Sequence, residues 1–116
     1  MQYNIHQTGE LRIAEITPGS VRIESAGDFL DLIANVPSRV FILQKEMFDE
    51  SFFDLSSGLA GEILQKCSNY HVKMAVIGDF TAYSSKALND FMFESNKTGQ
   101  ILFVDSVESA VKRFAQ

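Results

Sequence analysis

Cysteine is nearly missing from this chain. Cys67 is the only one among 116 residues, which excludes an intrachain disulfide and any multi-cysteine metal site and suits a reducing compartment. Basic runs are missing too. Ten Lys and Arg stand against fifteen Asp and Glu, a net charge of −5, so no segment could neutralise successive phosphates and nucleic acid is not an expected partner. No apolar run approaches the ~18 residues of a membrane span. Met1 to Gln7 is alternating and polar, without the basic start and apolar block of a signal peptide, and a soluble cytoplasmic protein is the expectation. Histidine is scarce: neither His6 nor His71 has a Cys or His at metal-ligand spacing, so no metal is expected. Gly-x-Gly-x-x-Gly and the Gly-rich lysine loop are both absent, so no dinucleotide or ATP cofactor is expected. His71, Asp79 and Ser84 are the residue types of a nucleophile triad. There is no Gly-x-Ser-x-Gly elbow, however, and Ser84-Ser85 stands where a helix needs a cap, so the chain reads as a non-enzyme. A receiver domain would need an acidic pair after its first strand and an aspartate after its third, and this chain has neither.

What is present is a core. At 46% hydrophobic residues with ten phenylalanines, 116 residues suit one domain, 1–116. Tyr3 to His6 and Leu11 to Ile16 alternate as two strands of an N-terminal hairpin. Ser25 reads as an N-cap with Asp28 near the positive end of the helix, and Phe29, Leu30, Ile33 and Ala34 recur at helical spacing. Val40 to Leu43 is continuously apolar, as a strand covered on both faces must be. A second helix is expected from Ser56 or Ser57, with Leu59, Ile63 and Cys67 in one apolar row. Val72 to Ile77 is the next strand. A third helix spans about Ser84 to Asn96, with Ala87, Leu88, Phe91 and Met92 inward and Gly99 past its end. Ile101 to Val104 is the last strand, and Ser106 caps a final helix. The expected fold is a single α/β domain: a hairpin, then alternating helices and strands, in a mostly parallel sheet with flanking helices.

The segment Asp54-Leu55-Ser56-Ser57-Gly58-Leu59-Ala60-Gly61, set after a buried strand and before an amphipathic helix, resembles the signature of the STAS domain, the anti-sigma factor antagonist fold. That family opens its second helix with Asp-Ser-Ser-Gly-Leu-Gly. From Val40 to the C-terminus, the elements follow the same plan. Aligned through Gly58 and Leu59, the family's aspartate falls on Leu55, with Asp54 one residue earlier, and its second glycine falls on Ala60, with Gly61 next in line. Phe52 to Asn69, with Gly78-Asp79-Phe80 and Glu94-Ser95-Asn96, also looks like a small bacterial family known only as a domain of unknown function. The STAS resemblance implies a regulatory module that binds a protein partner, with a serine that can be phosphorylated.

Those residues define the candidate site. Ser56 is the first candidate phosphoacceptor and Ser57 the second. A phosphate would add about −1.5 to −2 charge beside Glu46, Asp49, Glu50 and Asp54 and repel a docked partner. The plainer reading is a helix cap worth about 1 kcal/mol. Asp54, Gly58, Phe48, Phe52, Phe53, Asp79 and Phe93 complete the candidate binding surface, with the loop phenylalanines either exposed to a protein partner or folded over the sheet. The partner would be another protein or a second copy in a homodimer. The alternative is a homodimeric small-ligand module, its nucleotide or lipid-like ligand held by the Met47–Phe53 and Gly78–Tyr83 loops at the carboxyl ends of the strands.

Overall fold

A computed structural model describes residues 1–116. Strand β1 (Tyr3–Thr8) turns at Gly9 and Glu10 into β2 (Leu11–Ile16). Gly9 has φ +62° and Glu10 a negative φ, the type II′ geometry that matches the natural twist of a two-residue hairpin. Helix α1 (Ala26–Asn35) precedes β3 (Val40–Gln44), α2 (Leu59–Tyr70) precedes β4 (Lys73–Ile77), and α3 (Lys86–Thr98) precedes β5 (Ile101–Val104). Helix α4 (Val107–Phe114) closes the chain. The strands lie side by side in the order β1-β2-β3-β4-β5, antiparallel in the hairpin and parallel thereafter. The expected α/β architecture is therefore the observed one. None of its helices is long and apolar enough to cross a membrane.

Strand alternation divides the core in two. Phe41 and Leu43 point to the face covered by α1, α2 and α3, where they pack with Phe29, Leu32, Ile63, Cys67, Leu88 and Met92. Val40 and Ile42 point to the other face, where Ala110, Val107, Val111 and Phe114 of α4 cover Ile13, Ala75 and Leu102. β3, in the middle, is buried on both sides, as its uninterrupted apolar run requires.

The caps read from sequence hold for α1 and α4: Ser25 Oγ accepts from the Asp28 N–H and Ser106 Oγ from the Ser109 N–H. Elsewhere the boundaries shift. In α1 the inward row is Phe29, Leu32 and Ile33; Leu30 is half-buried outside the core cluster, and Ala34 is exposed. α3 starts at Lys86 with Ser85 as its cap and continues to Thr98, and Ala87 is exposed rather than inward. The largest correction concerns α2, which begins at Leu59 and not at Ser56 or Ser57. Leu55–Ser57 forms a separate 3-10 turn, and Gly58 at φ +82° breaks the chain into the left-handed region between turn and helix. Any side chain there would carry the ~1–2 kcal/mol cost of that conformation.

Candidate functional site

The connections after β3, β4 and β5 meet at the carboxyl ends of the parallel strands. From β3 the chain runs through three 3-10 turns, Lys45–Met47, Glu50–Phe53 and Leu55–Ser57, before it enters α2. The turns fold the phenylalanines inward. Phe52 is fully buried, and Phe48 and Phe53 nearly so. Phe48 and Phe52 stand 4.6 Å apart between ring centres; Phe52 also reaches Phe103 of β5, and Phe53 stacks on Tyr83 at 5.2 Å. Phe48, Phe52 and Phe53 are thus core residues and offer no exposed aromatic surface. Burying three rings yields more than exposing them in a loop, at about 25 cal/mol per Å² of apolar area.

The same packing joins the two loops. Rings from the Met47–Phe53 segment and the Gly78–Tyr83 loop contact each other, so the two loops close together and do not flank a cleft. Lys45 ties them: its ammonium donates to the Asp79 carbonyl at 2.9 Å and lies 5.2 Å from the centre of the Tyr83 ring. Gly78 makes this approach feasible, since a Cβ there would sit 2.8 Å from the Lys45 Cβ. A shallow depression remains beside the joint, lined by Gln44, Gly78–Thr81, Asn89, Phe103 and Asp105, and no residue of Met47–Phe53 lines it.

Three carboxylates organise the rim by one device. Asp49, Asp54 and Asp79 each accept both the backbone N–H and the hydroxyl of the residue two positions on, namely Ser51, Ser56 and Thr81. The hydroxyl contacts are 2.6 to 2.7 Å. Such Asx turns satisfy backbone donors that a loop would otherwise expose to solvent. Hydrogen bonds from Ser51, side chain first and then backbone, hold the Asp49 carboxyl below its ordinary range, with Arg22 adding attraction. The Thr81 N–H and hydroxyl do the same for Asp79, with Lys45 adding to them. Tyr83 is pushed up, chiefly by burial and then by Glu50 and Glu46. The repeated Asp-x-Ser/Thr spacing was the signal by which Asp49, Ser51 and Thr81 could have been found. Lys45 had none, because its partners come from another strand connection.

At the centre of the candidate site, Ser56, Ser57 and Gly58 are all exposed. Ser56 is not the cap of α2, for its hydroxyl is turned to Asp54. Ser57 performs that role from outside the helix, accepting the Leu59 N–H at 3.2 Å while its own hydroxyl donates to the Ser51 carbonyl. Gly61 and Glu62 continue the exposed strip onto the first turn of α2, and Gly61 has open space where a side chain would be. Asp79 is exposed on the neighbouring loop. Phe93 lies elsewhere: it is 61% exposed on the outer face of α3, with the Lys97 ammonium 4.6 Å from its ring centre. The residues of the expected surface therefore separate into a rim (Asp54, Ser56, Ser57, Gly58, Asp79), a buried cluster and a remote ring.

His71, the only candidate base near the middle of the chain, is the left-handed C-cap of α2. The twelve residues of that helix, about 18 Å, separate it from Ser56 and Ser57. It makes no hydrogen bond to Ser84 or Ser56. His6 is occupied at the other edge, its Nε2 2.7 Å from the Glu15 carboxylate.

Neither the curated proteins nor the solved structures contain a match to this chain. Residues 8–114, nearly the whole sequence and every element from the hairpin turn to α4, match a family described as a domain of unknown function (DUF4180). The chain belongs to that family.

Proposed function

We propose that this protein is a non-enzymatic, STAS-like regulatory module that docks a protein partner through the Asp54–Gly61 turn and the first turn of α2, with phosphorylation of Ser56 releasing the partner. The observation that carries the reading is the exposed hydroxyl of Ser56, held 2.7 Å from Asp54 at the entrance to α2. A kinase would join the γ-phosphoryl group of ATP to Ser56 Oγ, releasing ADP and the hydroxyl proton. That proton is the one donated to Asp54. Its replacement by a group of about −1.5 to −2 charge sets two anions against each other and removes the contact that ties Ser56 to the turn. The 3-10 turn Leu55–Ser57 then loses part of its support, and the surface gains charge of the sign it already carries.

Gly61 supports the same reading. A glycine inside a helix costs roughly 0.5–1 kcal/mol relative to alanine. Nothing in the monomer requires its small size, since a Cβ there would touch nothing. Close approach by a partner backbone would supply the requirement. The STAS-like plan adds that the turn after the central strand is the recognition element.

The test has two parts. Phosphopeptide mapping of the protein from its native cells is expected to find phosphate on Ser56. Affinity capture with the unmodified chain, Ser56→Ala, Ser56→Asp and Glu62→Arg is then expected to retain one common protein on the first two baits and lose it from the others. Equal retention by Ser56→Ala and Ser56→Asp would remove the gating role, and retention by Glu62→Arg would move the docking surface away from α2.

A further inference from the structure

The two edges of the sheet are finished differently. On β5 the outward-facing backbone of Phe103 is already paired: Asn96 of α3 accepts from its N–H at 2.7 Å and donates to its carbonyl at 3.2 Å. The side-chain amide mimics a neighbouring strand and covers the outer edge of β5 at Phe103. β1 has no such guard. The Thr17 N–H donates to the Gln2 carbonyl, which fixes the alternation of the hairpin ladder. Asn4, His6 and Thr8 therefore face β2, and the N–H and C=O groups of Tyr3, Ile5 and Gln7 point outward. No hydrogen bond within the chain uses them.

Natural sheets protect an open edge with lysine, proline, a bulge or a covering segment. Tyr3–Thr8 reads Tyr-Asn-Ile-His-Gln-Thr, without Lys, Arg, Asp, Glu or Pro, and its pairing with β2 runs without a bulge. That neutrality decides the occupant. The chain as a whole carries −5, so two copies repel each other over most of their surface, whereas two β1 edges meet without like charges. The edge is also self-complementary. In antiparallel pairing about a two-fold axis through Ile5, Ile5 faces Ile5 of a second copy and Tyr3 faces Gln7 of that copy. All outward groups of Tyr3, Ile5 and Gln7 are then paired. Tyr3 and Ile5 are half-buried on the face shared with α1, so their contact across the axis would extend a hydrophobic layer that already exists. Opposed β-branched side chains are among the favourable cross-strand pairs.

The geometry points to β1 as a homodimer edge, joining two five-stranded sheets into one of ten strands. The surface is separate from the Asp54–Gly61 turn, and the inference stands apart from the docking role proposed for that turn. An edge of six residues falls at the small end of specific interfaces, below ~1,200 Å², so the association is reversible and strengthens with concentration.

Sedimentation equilibrium of the full chain between about 10 μM and about 1 mM, the range in which weak specific complexes dissociate, provides the test. The expected result is a mass rising toward twice the 13.0 kDa of one chain. Amide exchange at Tyr3, Ile5 and Gln7 should slow in step. Ile5→Lys puts like charges on the axis and is expected to raise the dissociation constant at least about tenfold. Gln7→Pro alters an exposed residue and deletes an outward donor that the monomer does not use; it is expected to have the same effect and serves if Ile5→Lys fails to fold. A monomer across the whole range overturns the inference. So does a dimer that persists unchanged in either folded variant, or one in which the three amides exchange freely.

Discussion

The sulfur of Cys67 is wholly buried among the residues of α2 and the sheet, and that burial pushes its thiol up to about 12. At pH 8 almost no thiolate forms, and the thiolate is the reactive species. Iodoacetamide is expected to leave the native chain unlabelled and to add one carbamidomethyl group after unfolding in urea; rapid labelling of the native chain, read by intact mass, would contradict this. Asp49 and Asp79 behave in the opposite direction, since hydrogen bonds from Ser51 and Thr81 hold both carboxyls below their ordinary 3.8. A lowered folded value stabilises the fold above the ordinary value and withdraws that stability as pH falls through the lowered one. Urea midpoints are therefore expected to fall as pH drops below about 4. Asp49→Asn and Asp79→Asn should each flatten that fall, and an unchanged slope in both would show that the turns are not its source. Neither aspartate's partner needed a structure to be found, because an Asx turn is local. The burial of Phe52 and Phe53 did, because the rings that reach them, Phe103, Phe80 and Tyr83, are distant in sequence.

Among the elements, the strands and the caps of α1 and α4 were readable from the chain because each rests on side-chain type: apolar alternation, or a serine before an apolar row. The start of α2 was not. Ser56-Ser57 satisfies every sequence criterion for a cap, but the helix begins only after Gly58, whose φ of +82° no periodicity reveals. The 3-10 turns between β3 and α2 are too short for a hydrophobic period. Two positions in α2 now stand out as suboptimal for the helix itself. Gly61 lies in its first turn with open space around it, and His71 ends it at φ +54°, a conformation disfavoured for any residue with a Cβ. Gly61→Ala and His71→Gly are each expected to stabilise the domain by about 0.5–1 kcal/mol, as measured by urea unfolding. A loss of stability in Gly61→Ala would show that the helix needs that glycine for a reason inside the monomer. If the gain in stability comes with lost partner capture, Gly61 is a contact rather than an accident.

Over the whole molecule, the order of strands and helices was available from the sequence because strand-like and helix-like segments alternate along it. The division of labour between the two faces of the sheet was not, since it depends on which side each helix takes. α1, α2 and α3 share one face and α4 covers the other alone. The contrast between the sheet's two margins was equally hidden, for it turns on one asparagine in α3. Asn96→Ala would strip the partners from the Phe103 N–H and carbonyl and is expected to cost about 1–3 kcal/mol, again read from urea unfolding; a change below a few tenths would mean that water replaces the amide fully. The same asparagine bears on the pairing proposed for β1. In the β1-paired dimer proposed above, each copy uses up its own β1 edge, so that pairing by itself stops at two. Freeing the Phe103 backbone would give each copy a second place to add a neighbour, and the soluble Asn96→Ala protein is expected to grow beyond a dimer at concentrations where the parent stops there, as read by sedimentation.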